Sequence, residues 1–461
     1  MYNAYITRIK NMHKHPNADR LQIGECFGNA VIVSMEYEDN QLGIYFPSDG
    51  QLSVEFADAN NLLRKKDENG NNIGGYMDPD KRNVTAIKLR GEKSDGLFLP
   101  LTSLESFGDI TTLNEGDRID VFNGHEICKK YIPRKQSRRG GVSNGNKTRK
   151  HKAPIAPLFS EHADTEQLAY NLGAFKAGDE IEITLKMHGT SQRTGYLPTL
   201  KGYKRTIMDI ILKREGKPIY DWGYVSGTRR TVLNDFDGGY YGSNEFREPH
   251  SKTFEGKLWK GETVYYEVVG FTHTGAPIMA TCSNKKLNDK EFVKQYGDET
   301  VFSYGCEPNP IPAMIKAPEM EEVSPAIPQS DIYVYRMTMT NEDGDVVEYT
   351  PDFMRYRCEQ MGIKTVPVFT KFILNDYDLE LDDREPGEIV KYIAERYYDG
   401  PDPIGKTHIK EGVVIRIINR PKFAAFKHKN WFFKALEGIV KVEAEAPDME
   451  EAESIVENEA E

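Results

Sequence analysis

The sequence has no run of 18 or more apolar residues, which excludes a membrane-spanning helix of ordinary length. Its opening, MYNAYITRIKNMHK, lacks an apolar stretch, so no secretory signal is expected. Cysteine is scarce. The five residues, at 26, 128, 282, 306 and 358, are scattered, and no two form a C-x-x-C pair. Neither a zinc site nor a disulfide framework is indicated, and a reducing, cytoplasmic setting is expected. A basic surplus is also missing, since the net charge is −12. That average hides two opposite segments. Residues 127–154 hold ten Lys/Arg and no Asp or Glu, whereas residues 441–461 hold nine acidic residues and one lysine. Local charge, rather than the sum, has to carry any argument about nucleic acid.

What is present suits a globular chain with more than one core. A length of 461 residues exceeds what one core ordinarily organises, so two or three domains are expected. Residues 1–125 read as short strands: AYITRIK, LQIGECF, AVIVSMEY, LGIYFP, VTAIKLR and GLFLPL are β-rich and bounded by Gly, Asn, Asp or Pro. Five or six such strands predict a small β-barrel of OB type. Residues 126–154 are basic and rich in Gly, Ser and Asn, with little to bury, and are expected to be a flexible linker. Residues 155–440 mix strands (EIEITLKM, ETVYYEVVGF, DIYVYRMTMT, EGVVIRIIN, FAAFKHK) with a helical pattern in GEIVKYIAERYY. Residues 441–461 form an acidic, alanine-rich tail. The fold class expected is α+β: an OB-like barrel followed by a larger domain of antiparallel sheets with flanking helices.

Two lysines sit in similar settings. Lys186 precedes a turn in TLKMHGTSQR, and Lys93 lies in GEKSDGLFL. A protonated lysine is a poor nucleophile. It becomes useful when desolvated or set beside other cations. To attack a nucleotide phosphate it also needs cations for the phosphate, carboxylates for a metal ion and the ribose, and an aromatic ring for the base. Only Lys186 is followed by such company. The series is VSGTRR with Arg229 and Arg230, VYYEVVG with Glu267, DIYVYRM with Tyr333 and Tyr335, KEGVVIRI with Glu411, and AFKHKNW with Lys427 and Lys429. Residues two apart on a strand share a face, so Lys427 and Lys429 are expected to point into one site. Lys93 is read instead as part of a polar turn between barrel strands, where Ser-Asp-Gly is ordinary turn chemistry.

This ordered series resembles nucleotidyltransferase motifs I, Ia, III, IIIa, IV and V of the covalent lysine-adenylate ligases. The H-G-T form after Lys186 resembles RNA ligases of the T4 RNA ligase 2 type. An N-terminal barrel ahead of such a domain resembles the Deinococcus and Naegleria-type RNA ligases. The resemblance implies an adenylyltransferase domain, an ATP-grasp-like covalent nucleotidyltransferase. It implies ATP as nucleotide, with Mg²⁺ or Mn²⁺. Lys186 would be the nucleophile, with Gly189 in its turn and His188 assisting transfer to RNA. Arg229, preferred to Arg230, would contact AMP or an RNA phosphate. Glu267 would hold the ribose, and Tyr335, ahead of Tyr333, would stack on adenine. Glu411 would orient the metal, and Lys427 and Lys429 would hold the α-phosphate. The implied substrate is RNA with 3′-hydroxyl and 5′-phosphate ends, possibly a nicked duplex, with neither a membrane nor an obligate protein partner indicated. Within the N-terminal part, HPNADRL (His15 to Leu21) resembles the opening of tRNA-binding OB modules. The alternatives are a GTP-dependent capping-type guanylyltransferase and a non-catalytic RNA-binding protein on a ligase fold. Two departures stand out. The spacing from Lys186 to Arg229 is long, with residues 200–225 reading as an insertion, and Tyr266 precedes Glu267 where glycine is commoner.

Overall fold

The structure is a computed structural model. It describes residues 2–65, 74–132, 153–163, 165–212, 216–233, 236, 244–313, 325–374 and 384–443. Most of the basic segment and nearly all of the acidic tail lie outside these residues. By contacts the chain divides into two compact units: residues 1–135, 282–300 and 430–447 form one, and residues 136–281, 301–429 and 448–461 the other. Two segments from late in the chain thus belong with the N-terminal strands. No contiguous division of the sequence could have shown this.

The first unit is built from short antiparallel strands. In Ala4–Arg8, Ala4 and Ile6 alternate inward and are fully buried. This strand pairs with Leu42–Phe46 on one side and Arg118–Ile119 on the other, and Leu97–Pro100 extends the sheet beyond Leu42–Phe46. Further small sheets join Cys128–Lys130, Gly50–Leu52 and Asn83–Val84, and Lys10–Lys14, Leu21–Cys26 and Asn29–Ser34. No single closed ladder runs through these strands among the described residues. Two of these sheets share one core instead, to which Ile6, Phe46 and Ile119 come from one and Leu52 and Val84 from the other. The start of the expected linker, Cys128–Lys130, is one of these strands.

Lys93 is not in a turn. It lies on the strand Glu92–Asp95, opposite Lys88 of Ala86–Leu89. The turn falls earlier, at Arg90 and Gly91, whose φ values of 48° and 98° give the two-residue loop that matches strand twist. The Lys93 ammonium lies 4.3 Å from the ring centre of Phe432. Nearby, Lys434 pairs with Asp95 at 2.6 Å and Lys88 with Asp289 at 2.7 Å. Lys93 is exposed and lies over an aromatic ring of the first unit.

The second unit contains two larger sheets. A five-stranded sheet runs in the order Glu166–Gln167, Ala424–Lys429, Gly412–Ile417, Glu180–Lys186, Val368–Ile373. A six-stranded sheet runs Val232–Leu233, Lys217–Gly227, Thr190–Lys204, Glu262–Gly270, Ser330–Thr340, Val346–Glu348. All neighbours in these sheets are antiparallel except Glu166–Gln167 beside Ala424–Lys429. The five-stranded sheet buries one face. Ile181, Ile183, Val413, Ile415 and Phe426 alternate onto it and meet Val390 and Ile393 of the helix Pro386–Glu395. A second helix, Pro351–Met361, starts where Thr350 caps the amide of Phe353 and Pro351 occupies the first turn; it stops at Gly362, whose φ is 68°. The described strand residues of the stretch read as an insertion belong to a long hairpin, Thr190–Lys204 paired with Lys217–Gly227. The whole is a mixed α+β fold of mostly antiparallel sheets.

Candidate active site

The opposite face of the five-stranded sheet is polar. The same period of two that buries Ile181 and Ile183 turns Glu182, Thr184 and Lys186 to the other side. Strand register then fixes three rows across the sheet: Lys186, Gly412 and Lys429; Thr184, Val414 and Lys427; Glu182, Arg416 and Ala425. Lys186 and the second and third rows line a cavity that encloses about 890 Å³ of empty space, its open mouth included. Glu267 and Tyr335 of the six-stranded sheet line it too, with His162, Arg229, Arg355 and Phe423.

Lys186 ends its strand, and its ammonium lies 2.7 Å from Glu411 Oε1. Lys429, one row-mate away, reaches the same oxygen at 3.2 Å. The other carboxylate oxygen is 3.8 Å from His188 Nδ1. Glu411 is almost fully buried, with its side chain 2% exposed, so one desolvated carboxylate joins the turn after Lys186 to the last strand. Gly412 stands between the two lysines in their row and puts no side chain there. Gly189 is needed for close approach, because a Cβ there would fall 2.5 Å from the carbonyl oxygen of Val268.

The six-stranded sheet brings the other groups. Ser191 lies opposite Glu267, and its hydroxyl bonds to the Tyr335 hydroxyl at 2.8 Å. Register between Glu262–Gly270 and Ser330–Thr340 slips by one: Tyr265 faces Arg336 and Tyr266 faces Val334, so Tyr335 is the extra residue of a β-bulge. Bulges re-aim a side chain, and here Tyr335 lines the cavity. Tyr333 does not; its hydroxyl turns to Asp331 at 3.3 Å. Arg229 lines the cavity as well. The carbonyl of Arg230 is tied to the guanidinium of Arg193 at 3.0 Å.

The structure thus brings Lys186, Glu267, Tyr335, Arg229 and Lys427 to one cavity, with Glu411, Lys429 and His188 joined to Lys186 at its edge. Sequence reading missed His162, Glu182, Arg355, Arg416 and Phe423. For Glu182 the signal was available, since Lys186 and Glu182 are four apart on one strand. His162 had none, because it lies in an irregular stretch. Its ring centre is 5.1 Å from that of Tyr335 and 5.8 Å from that of Phe423, and Arg336 Nη1 donates to its Nδ1 at 3.2 Å. Burial, and then the charges of Arg229, Arg336, Arg193 and Arg416, hold this imidazole well below its ordinary pKa, so it stays neutral. Arg355 is paired with Glu182 at 2.7 Å. The result is a cationic, partly aromatic cavity, suited to a polyanion that carries a flat ring.

A scan against protein-family models and a search of curated proteins returned no match. A search of solved structures did. The Naegleria gruberi RNA ligase with PPi superposes with a TM-score of 0.51 at 15% identity, covering 96% of this chain and 99% of that one. Two variants of that ligase with ATP and Mn each give 0.50 at 15% identity, covering 94% and 93% of this chain and 97% and 96% of theirs. Over nearly its whole length, then, this chain has the fold of the Naegleria gruberi RNA ligase.

Proposed function

We propose that the protein is an ATP-dependent RNA ligase that joins RNA 3′-hydroxyl and 5′-phosphate ends through lysyl-AMP and RNA-adenylate intermediates, acting in RNA repair. The observation that carries the reading is Lys186 beside Glu411 and Lys429 at the edge of a cationic cavity. The shared fold supports it.

A lysine attacks phosphorus only as the free amine. Glu411 Oε1 is the base within reach of its proton. Nζ then bonds the α-phosphorus of ATP as the bond to pyrophosphate breaks. Catalysis of such in-line displacement rests on positioning and on charge neutralisation. Lys427, Lys429 and Arg229 supply the cations. Glu267 accepts from the ribose, and Tyr335 stacks on the base. AMP passes next to an RNA 5′-phosphate, with His188 assisting, and a 3′-hydroxyl displaces it.

Among the described residues no cluster of three or more His, Cys, Asp or Glu could enclose a metal ion. Glu411 nevertheless fits Mg²⁺ or Mn²⁺, because such ions bind through one or two carboxylates plus substrate phosphates and keep water as the remaining ligands. A bound ion there would neutralise phosphate charge.

The N-terminal unit, built of short antiparallel strands, is read as an OB-like RNA-binding module (residues 1–125). Residues 126–154 would track phosphates and residues 155–440 would carry the chemistry. A cytoplasmic location fits five buried, unbridged cysteines.

One incubation tests the reading. The protein is mixed with Mg²⁺ and α-labelled ATP or GTP and run on a denaturing gel. Label from ATP that disappears in Lys186→Ala and persists in Lys93→Ala is expected, and nicked RNA should then be sealed. Label from GTP alone would establish a capping-type enzyme. No label from either nucleotide would leave a non-catalytic RNA-binding protein.

A further inference from the structure

The segment Phe302 to Tyr304 lies outside the cavity, yet it grips the turn after Lys186 at two points. The Tyr304 hydroxyl accepts the backbone amide of His188 at 2.6 Å. Phe302 meets the His188 ring edge-on, with centres 4.6 Å apart. From the other side, the fully buried ring of His408 packs edge-on against Tyr304 at 4.6 Å and Phe302 at 5.1 Å. His408 belongs to a loop closed on itself: the Asp402 amide donates to the His408 carbonyl at 2.8 Å, and Pro401 bridges Ile409. Three residues after His408 comes Glu411. Tyr304 therefore sits between the two chain segments that hold opposite ends of the Lys186–Glu411 pair.

Its backbone is unusual. Tyr304 has φ 49°, and Gly305 follows at φ 76°. A bulky residue in the left-handed region is a genuine outlier, retained only where the surroundings over-determine it. Here the His408 ring fixes the tyrosine ring, and the His188 amide fixes its hydroxyl. Burial, and then the charge of Asp402, raise the phenol far above its ordinary pKa, so the hydroxyl stays neutral.

We propose that Tyr304 is a positioning residue for nucleotidyl transfer: by holding the His188 amide against the His408 loop, it sets the Lys186 amine relative to Glu411. The assignment rests on the ligase reading above and names a residue outside the sequence series that carries it.

Tyr304→Phe keeps the ring and removes the hydroxyl. Single-turnover transfer of label from α-labelled ATP should slow by about 10- to 100-fold, the scale expected when a reacting group is misplaced by an ångström. The half-saturating ATP concentration should stay within about threefold, because the cavity that binds the nucleotide is untouched. Assays about 10 °C and about 20 °C below the thermal midpoint should show the same defect. An unchanged rate, or a rate that recovers on cooling with the folded fraction, would overturn the assignment. Should Tyr304→Phe not fold, His408→Ala, which removes the ring packed on Tyr304, tests the same brace against the same outcomes. If the wild-type protein takes no label, the ligase reading itself fails and the assignment falls with it. A labelled wild type with an unaffected Tyr304→Phe leaves that reading standing and sinks this inference alone.

Discussion

At position 412 a side chain would have nowhere to go. Its β-carbon would lie 2.1 Å from the carbonyl oxygen of His428 and 2.8 Å from the Lys429 Cα. The backbone φ of 146° adds to the difficulty for any L-residue. Adding the methyl must push the Lys429 strand away from the row that contains Lys186. We expect Gly412→Ala to destabilise the protein by about 1–3 kcal/mol and to slow lysine adenylation by more than that loss of folded protein explains. Urea melts and the labelling assay, run on one preparation, check both. Wild-type labelling in a destabilised variant would show that the row spacing does not matter. At this scale the order of residues in the sequence pointed to spatial neighbours: Lys186, Glu411 and Lys429, far apart in the chain, meet in the fold, and Lys186 and Lys427 line one cavity. Tyr304 and His162 were invisible. Their roles come from φ, ring packing and a hydrogen bond to a residue more than a hundred positions away, none of which leaves a local pattern.

Strands were legible wherever one face is apolar. EIEITLK alternates isoleucine with polar residues, which marks it as a strand and sets Lys186 on the face opposite Ile181 and Ile183. By contrast ETVYYEVVG is buried on both faces and gives no such direction. The bulge that re-aims Tyr335 depends on how two distant strands pair, so the choice between Tyr333 and Tyr335 could not be read from spacing. Glu262, which opens ETVYYEVVG, shows what holds this sheet to its helix. It is fully buried and takes both arms of Arg357, from Pro351–Met361, at 2.8 Å each, together with the Tyr349 hydroxyl at 3.0 Å. Breaking a buried pair leaves an uncompensated charge, so Glu262→Gln should cost about 3–5 kcal/mol. The pair lies away from the cavity lining, and what protein remains folded should still take label from ATP at close to the normal rate. Loss of rate per folded molecule, measured by circular dichroism alongside labelling, would mean that the sheet–helix contact also shapes the site.

Stability of the second unit as a whole should fall on mild acidification, and buried histidines set the window. His250 bonds to the Ser330 hydroxyl at 2.9 Å and is pushed down to about 4, chiefly by burial. His162 is likewise held well below its ordinary value, by burial and four arginines. An unfolded chain protonates histidine near pH 6.5, whereas the folded chain resists until much lower pH. Between those values the unfolded state binds more protons, so stability is full above about pH 6.5 and drains away as the pH falls. For His250 alone the loss between pH 7 and pH 5 comes to about 2 kcal/mol. Carboxylates held by cations, such as Asp352 beside Lys371 and Arg355, are lowered below their ordinary value and add their own loss only at more acid pH. The two contributions therefore separate on the pH axis. Glutamine can keep the bond to Ser330 but cannot take up a proton. In His250→Gln the difference in unfolding free energy between pH 7 and pH 5, read from urea melts, should shrink by about 2 kcal/mol. An undiminished difference would show that His250 gains its proton as easily in the folded protein as in the unfolded chain.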